Sequence, residues 1–231
     1  MSSARDVFLQ RVQDALKAGN RPGETPELPT RGQIGYQGGG PDLTARFCAE
    51  LQAAGGFAHI VIDQEEGAAK VLELVQAKAA KQALVGRGAF VDGLNLAERL
   101  QSVGVQTQGP DGLAPADCRE PFFSADIGIT GVDYLVAETG TVALLAKPAE
   151  PRSFSLLPPV HVAVAHQAQL LPDLFDLFAK LASRPSAGTG RLKLPSCLSL
   201  ITGPSKTGDI ELKLVTGVHG PGELHVVVVT G

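Results

Sequence analysis

Cysteine is scarce in this 231-residue chain: Cys48, Cys118 and Cys197 stand far apart and are odd in number. They form no C-x-x-C pair, which argues against a disulfide framework and fits a reducing cytoplasm. Their isolation leaves no ligand set for an iron–sulfur cluster held by this chain alone, and each is read as a small core hydrophobe. Positive charge is in deficit, with 20 Lys and Arg against 24 Asp and Glu and a formal charge of -4. A general nucleic-acid binder needs a basic surface to neutralise phosphates, so the balance argues against that class. Without a polybasic run, electrostatic attachment to a membrane has no basis either. No apolar run approaches the roughly 20 residues that cross a bilayer. The opening MSSARDVFLQRVQDALKAG carries charges throughout and no continuous apolar core, so it is not expected to be a secretory signal.

Turn residues, by contrast, are plentiful. The 27 Gly and 16 Pro point to many tight turns between short elements, and 44% hydrophobic residues suffice for a globular core. Residues 4 to 18 form an expected amphipathic helix with Phe8, Val12 and Leu16 on one face. Pro22, Pro26 and Pro29 then make RPGETPELPT a stiff linker, so residues 1–40 read as a helix plus a Pro/Gly-rich arm. From Pro41 to Gly231 the chain reads as one α/β domain. Helix faces (Leu43, Phe47, Leu51; then Ala68, Val71, Leu72, Val75) alternate with the short buried strand HIVID (59–63), a second strand ALVG (83–86) and the strand-like VGVQT (103–107). Such alternation implies parallel pairing through right-handed crossovers. Residues 133–146 read as a hairpin bent at Glu138-Thr139-Gly140. VHVAVAH (160–166), LSLIT (198–202), ELKLVTGV (211–218) and ELHVVVV (223–229) are expected to complete the sheet, and PDLFDLFAKLA (172–182) to form a helix with Leu174, Leu177, Phe178 and Leu181 inward. The expected architecture is a three-layer α/β domain with a mixed, largely parallel sheet.

Several nucleotide and hydrolase signatures fail. No glycine precedes Lys206 as a P-loop requires, and LVGRGAFVDG has Gly86 and Gly88 but Val91 where the third glycine of G-x-G-x-x-G belongs. No G-x-S-x-G elbow and no metal signature occurs: His161 and His166 fall on opposite faces of a strand, and His219 and His225 flank a turn. His161 is read as a core histidine bonded to backbone.

Two polar knots remain. Glu138-Thr139-Gly140-Thr141 places a carboxylate and two hydroxyls at a strand end, a position that suits Glu138 to acid–base or nucleophilic work. The alternative is a carboxylate that accepts backbone N–H bonds and pins the hairpin. Thr202-Gly203-Pro204-Ser205-Lys206-Thr207-Gly208-Asp209 offers hydroxyls, an ammonium and glycine-flanked N–H groups as a cradle for a carboxylate or phosphate, with Asp209 a second catalytic carboxylate. Its alternative is a long polar turn with a solvated lysine. Arg152 is a candidate second anion clamp.

The order ITGVDYLVAETGTVALL, RSFSLLPPVHVAV, ITGPSKTGDIELKLVTGVHGPGELHVVVV resembles the lactate-utilization protein C family, the single-domain form of the LUD domain, over about residues 41 to 229. The resemblance implies a cytoplasmic bacterial protein that acts with two iron–sulfur partner proteins in oxidising L-lactate to pyruvate. It also implies a fold like that of ribose-5-phosphate isomerase, glucosamine-6-phosphate deaminase and the CoA transferases, with no cofactor in this chain and homo-oligomers possible. Glu138 is the counterpart, by position, of the strand-end carboxylate in those enzymes. Two roles follow: a catalytic subunit that handles a small hydroxy- or oxo-acid, or a non-catalytic accessory subunit that docks the iron–sulfur partners.

Overall fold

The computed structural model describes residues 3–19, 38–111, 119–147, 151–184, 195–210 and 213–231. The chain divides into two compact units, Met1–Tyr36 and Gln37–Gly231. Helix α1 (Ala4–Gly19) belongs to the first. Ser3 and Asp6 close its start reciprocally, each accepting the other's backbone N–H, at 3.2 and 3.0 Å. The RPGETPELPT linker, Cys118 and the 185–194 loop lie outside the described residues.

The second unit opens with α2 (Leu43–Ala53), started by Asp42, whose carboxylate accepts the Ala45 N–H at 3.0 Å. The expected alternation follows: β1 (Phe57–Val61), α3 (Gln64–Ala77), β2 (Gln82–Val85), α4 (Ala89–Gly93), α5 (Leu96–Ser102) and β3 (Gln106–Gln108). Asn95, at φ 50°, separates α4 from α5. Then come α6 (Arg119–Phe123), β4 (Ile127–Gly131), β5 (Tyr134–Val136), β6 (Thr141–Leu145), α7 (Ser153–Leu156), β7 (Val160–His166) and β8 (Leu170–Leu171). The remaining elements are α8 (Leu174–Ala182), β9 (Leu198–Ile201), β10 (Lys206–Ile210), β11 (Lys213–Thr216) and β12 (Glu223–Val229).

Six strands form the central sheet in the order β1-β12-β7-β4-β2-β3, and every pairing in it is parallel. The apolar runs of β7 and β12 explain their place inside it, since a strand covered on both faces cannot carry solvent-facing polar residues. On one face Val162, Val164, Val227, Val229, Ile127 and Ile129 pack beneath α3, α4 and α5. On the other, Ala163, Ala165, Leu224, Val226 and Val228 pack against Phe47 and Leu51 of α2 and against Leu135 and Val142 of a second sheet. The three expected layers are therefore present.

Three expectations need correction. LSLIT and ELKLVTGV do not join the central sheet: β9 pairs with β6 in a four-stranded sheet ordered β8-β5-β6-β9, and β11 pairs with β10 in a separate hairpin. Phe178 of α8 turns outward, 53% exposed, while Leu177 and Leu181 are buried. Cys48 is half-buried at the edge of the second core, and Cys197 is also only half-buried.

Candidate functional site

Glu138 lies in a short 3-10 turn, Ala137–Thr139, between β5 and β6. The next residue, Gly140, takes φ +61°, and a Cβ there would stand 2.2 Å from the Leu51 nitrogen. Only glycine lets this turn press so closely on α2. The backbone of Glu138 donates to the Pro172 carbonyl at 3.0 Å, and its half-buried carboxylate accepts a long bond, 3.4 Å, from the Gly38 N–H. The carboxylate thus meets the chain that leads into α2. It stands at the carboxyl end of β5, a strand of the second sheet.

Three hydroxyls join the two polar knots. Thr139 Oγ1 lies 2.7 Å from Thr141 Oγ1, which lies 2.6 Å from Thr202 Oγ1. Thr141, 3% exposed, is the hub of this row. Antiparallel pairing of β6 with β9 places Val142 opposite Ile201, so the residues one step beyond, Thr141 and Thr202, fall side by side. Gly203, at φ +78°, lets the following turn approach the Ala54 carbonyl, which a Cβ would meet at 2.6 Å.

Lys206 does not pair with Glu138. Its ammonium donates to the Ala54 carbonyl at 2.5 Å, just past the end of α2, and so satisfies a terminal helix carbonyl. Ser205 is held through its backbone, which donates to the Pro221 carbonyl at 2.8 Å and accepts the Gly217 N–H at 3.0 Å. Thr207 pairs with Val215 inside the β10–β11 hairpin, whose register shifts before Ile210; the Asp209 side chain lies outside the described residues. Arg152 lies with Ser155 and Ser199 around the opposite end of the β6–β9 pair, about 13 Å along the strands from the threonine row by strand rise. The arrangement therefore unites Thr139, Thr141 and Thr202, with Glu138, Gly140 and Gly203 next to them along the chain, sets Lys206 at the α2 terminus, and leaves Arg152 apart.

His161 is buried, but its partner is a side chain: Nε2 lies 2.9 Å from Thr130 Oγ1, and Nδ1 has no partner among the described residues. Burial pushes its pKa down to about 4. Sequence reasoning missed a contact between two histidines. His59 Nε2 and His225 Nδ1 are 3.1 Å apart across β1 and β12, and His225 Nε2 meets Glu223, itself bridged to Lys78 at 2.5 Å. Burial lowers both imidazoles, and for His225 the Glu223 carboxylate pulls the other way. The visible signal was H-x-V on one strand beside E-x-H on another, which carries meaning only once the register is known. Among the described residues no group of three His, Cys, Asp or Glu side chains is placed to hold a metal, and no helix is long and apolar enough to cross a membrane.

Comparison with known proteins now adds to this geometry. The model of the LUD domain matches residues 44–229, most of the chain. The chain belongs to the LUD domain family. It is similar to lactate utilization protein C of Halalkalibacterium halodurans, 45% identical over 97 residues that cover 42% of this chain and 41% of that protein. Lactate utilization protein C of Macrococcus caseolyticus is 42% identical over 106 residues, covering 46% and 44%. The uncharacterized protein YkgG of Escherichia coli K12 is 35% identical over 133 residues, covering 55% and 54%. The matched region thus spans about half or less of these relatives' length. A crystal structure of a DUF162 family protein from Deinococcus radiodurans superposes with a TM-score of 0.53 at 21% identity, covering 82% of this chain and 96% of that one, and shares the fold of this LUD domain.

Proposed function

We propose that this LUD domain protein takes part in L-lactate utilization beside iron–sulfur partner proteins, and that it receives a small hydroxy- or oxo-acid at the threonine row. The relatives named lactate utilization protein C support the process. The observation that carries the site is the hydrogen-bonded row Thr139–Thr141–Thr202, which joins segments 61 residues apart and begins at the residue after Glu138. Hydroxyls of the 202–207 turn donate to the acid's carboxylate. Lys206 gives one N–H to Ala54, and an ammonium has two more to offer. Glu138 accepts the substrate hydroxyl proton, acting as a general base. The two electrons and the carbinol C–H proton released as the carbinol carbon becomes a carbonyl pass to an acceptor outside this chain, for which the iron–sulfur partners are the natural route.

The test is reconstitution of this chain with its iron–sulfur partners. Glu138→Gln, with an unchanged circular dichroism spectrum, is expected to lower lactate-dependent electron transfer at least a hundredfold, while Lys206→Ala weakens lactate binding. Full turnover in Glu138→Gln, together with loss of partner binding on deletion of residues 1–30, would replace this reading with an accessory docking role.

A further inference from the structure

A second crevice is built at the carboxyl end of β2, from elements the threonine row does not use. β2 continues into α4, whose Val91 packs on the α3–α5 face of the central sheet. Its two neighbours continue to the opposite face. β4 leads to Val132 and Leu135 in the second-sheet core, and β3 is followed by α6, whose Phe122 packs edge-on against Phe154. Adjacent strands whose connections depart to opposite faces separate at their carboxyl ends, and the resulting crevice is where open α/β sheets hold ligands. Here it encloses about 380 Å³, within the range of small-molecule sites.

The loop at its rim is held in a conformation that packing does not demand. Gly88 takes φ +148°, although a Cβ there would touch nothing within 4 Å. Glycine is required for the backbone alone, and such strain gathers where a chain is shaped for a ligand. Asp92 fixes the loop at two points: one carboxylate oxygen accepts Arg87 Nε at 3.0 Å, the other the Gly88 N–H at 3.3 Å. Because Asp92 takes the inner edge of the guanidinium, both terminal amino groups of Arg87 stay without a described partner. Arg87 is 57% exposed and lines the crevice. Asn95 and Glu98, which suit hydroxyl groups, also line it, and the apolar part of the lining is formed by Val85, Val91 and Leu96, all buried.

We propose that this crevice binds a nucleoside monophosphate, with the phosphate on the Arg87 fork, the ribose hydroxyls on Glu98 and Asn95, and the base against the apolar part of the lining. Each part of the lining selects this class. Inorganic phosphate leaves the carboxylate and the apolar residues unused, and a nucleoside leaves Arg87 unused. A dinucleotide is disfavoured because Val91 stands where the pyrophosphate-binding fingerprint needs its third glycine.

The experiment is isothermal titration of the full chain with AMP, adenosine and inorganic phosphate. AMP is expected to bind saturably and at least tenfold more tightly than either part. Arg87→Gln is expected to weaken AMP roughly ten- to hundredfold, as loss of hydrogen bonds to a charged group does, and Arg87→Lys to restore only part of it, because an ammonium lacks the fork. Glu98→Gln is expected to reduce the preference for AMP over phosphate. Glu138→Gln is expected to leave AMP binding unchanged, which separates this site from the acid site. No AMP binding at millimolar concentration, affinity for phosphate equal to that for AMP, or an unaltered affinity in Arg87→Gln would overturn the proposal.

Discussion

Thr141 and Thr202, 61 positions apart, share a hydroxyl–hydroxyl hydrogen bond of 2.6 Å. This contact ties the 3-10 turn bearing Glu138 to the Thr202–Ser205 turn. It is unequal: Thr141 is buried and Thr202 exposed. Replacing Thr141 by Val removes both bonds of the row, whereas Thr202→Val removes one and leaves the Thr141 hydroxyl bonded to Thr139. Urea denaturation is expected to show Thr141→Val less stable by about 1–2 kcal/mol and Thr202→Val by less than about 0.5 kcal/mol. Equal effects would mean the row does not act as described.

Glycines 140 and 88 offer a matched comparison. Both need positive φ, but a Cβ at 140 collides with the α2 backbone while one at 88 meets open space. Gly88→Ala carries backbone strain alone, about 1–3 kcal/mol. Gly140→Ala adds displacement of α2 and is expected to cost about 3 kcal/mol or more. Thermal unfolding of the two variants gives the order.

Acid sensitivity follows from the histidines. Burial depresses the folded-state pKa of His161 to about 4, against an ordinary value of 6.5. Between those values the unfolded chain binds a proton that the folded chain does not, so stability rises with pH across that window and is lost as pH falls through it. The contribution is complete above about pH 6.5, and its full size is on the order of 3 kcal/mol. His59 and His225, both lowered, act in the same direction. Unfolding measured from pH 4 to 7 should show this slope, and His161→Leu should flatten it.

The His59–His225 contact has a definite proton arrangement. A carboxylate only accepts, so His225 carries its proton on Nε2 toward Glu223, and its Nδ1 accepts from His59 Nε2–H. Nitrogen-15 NMR is expected to report the Nε2–H tautomer for both rings. Glu223 raises the pKa of His225 against burial, so Glu223→Ala should lower that pKa further, readable in a histidine titration.

Local pattern revealed elements better than it revealed partners. Phe47 and Leu51 on one helix face, or the unbroken apolar runs of β7 and β12, carry their burial in their spacing. Nothing in LSLIT distinguishes a strand of the central sheet from one that pairs with β6 in another layer, because strand pairing is decided by long-range packing. The same limit hid His59 beside His225. The threonine row was visible as two hydroxyl-rich turns, but the helix end that engages Lys206 lies more than a hundred residues earlier. At Gly86-Arg87-Gly88 a strict glycine count hid the feature that matters, a turn at the end of an apolar strand whose neighbours depart to the other face.

In the central sheet β12 lies between β1 and β7, and β1 has no other neighbour there among the described residues. During synthesis, residues 57–61 therefore wait for residues 223–229 before their backbone is paired, and more than 160 residues of chain must be in hand first. Loop closure over that distance is slow. Until it occurs the growing polypeptide presents Val61, buried in the finished fold, on an unpaired strand, a state in which a ribosome-associated chaperone has a clear target.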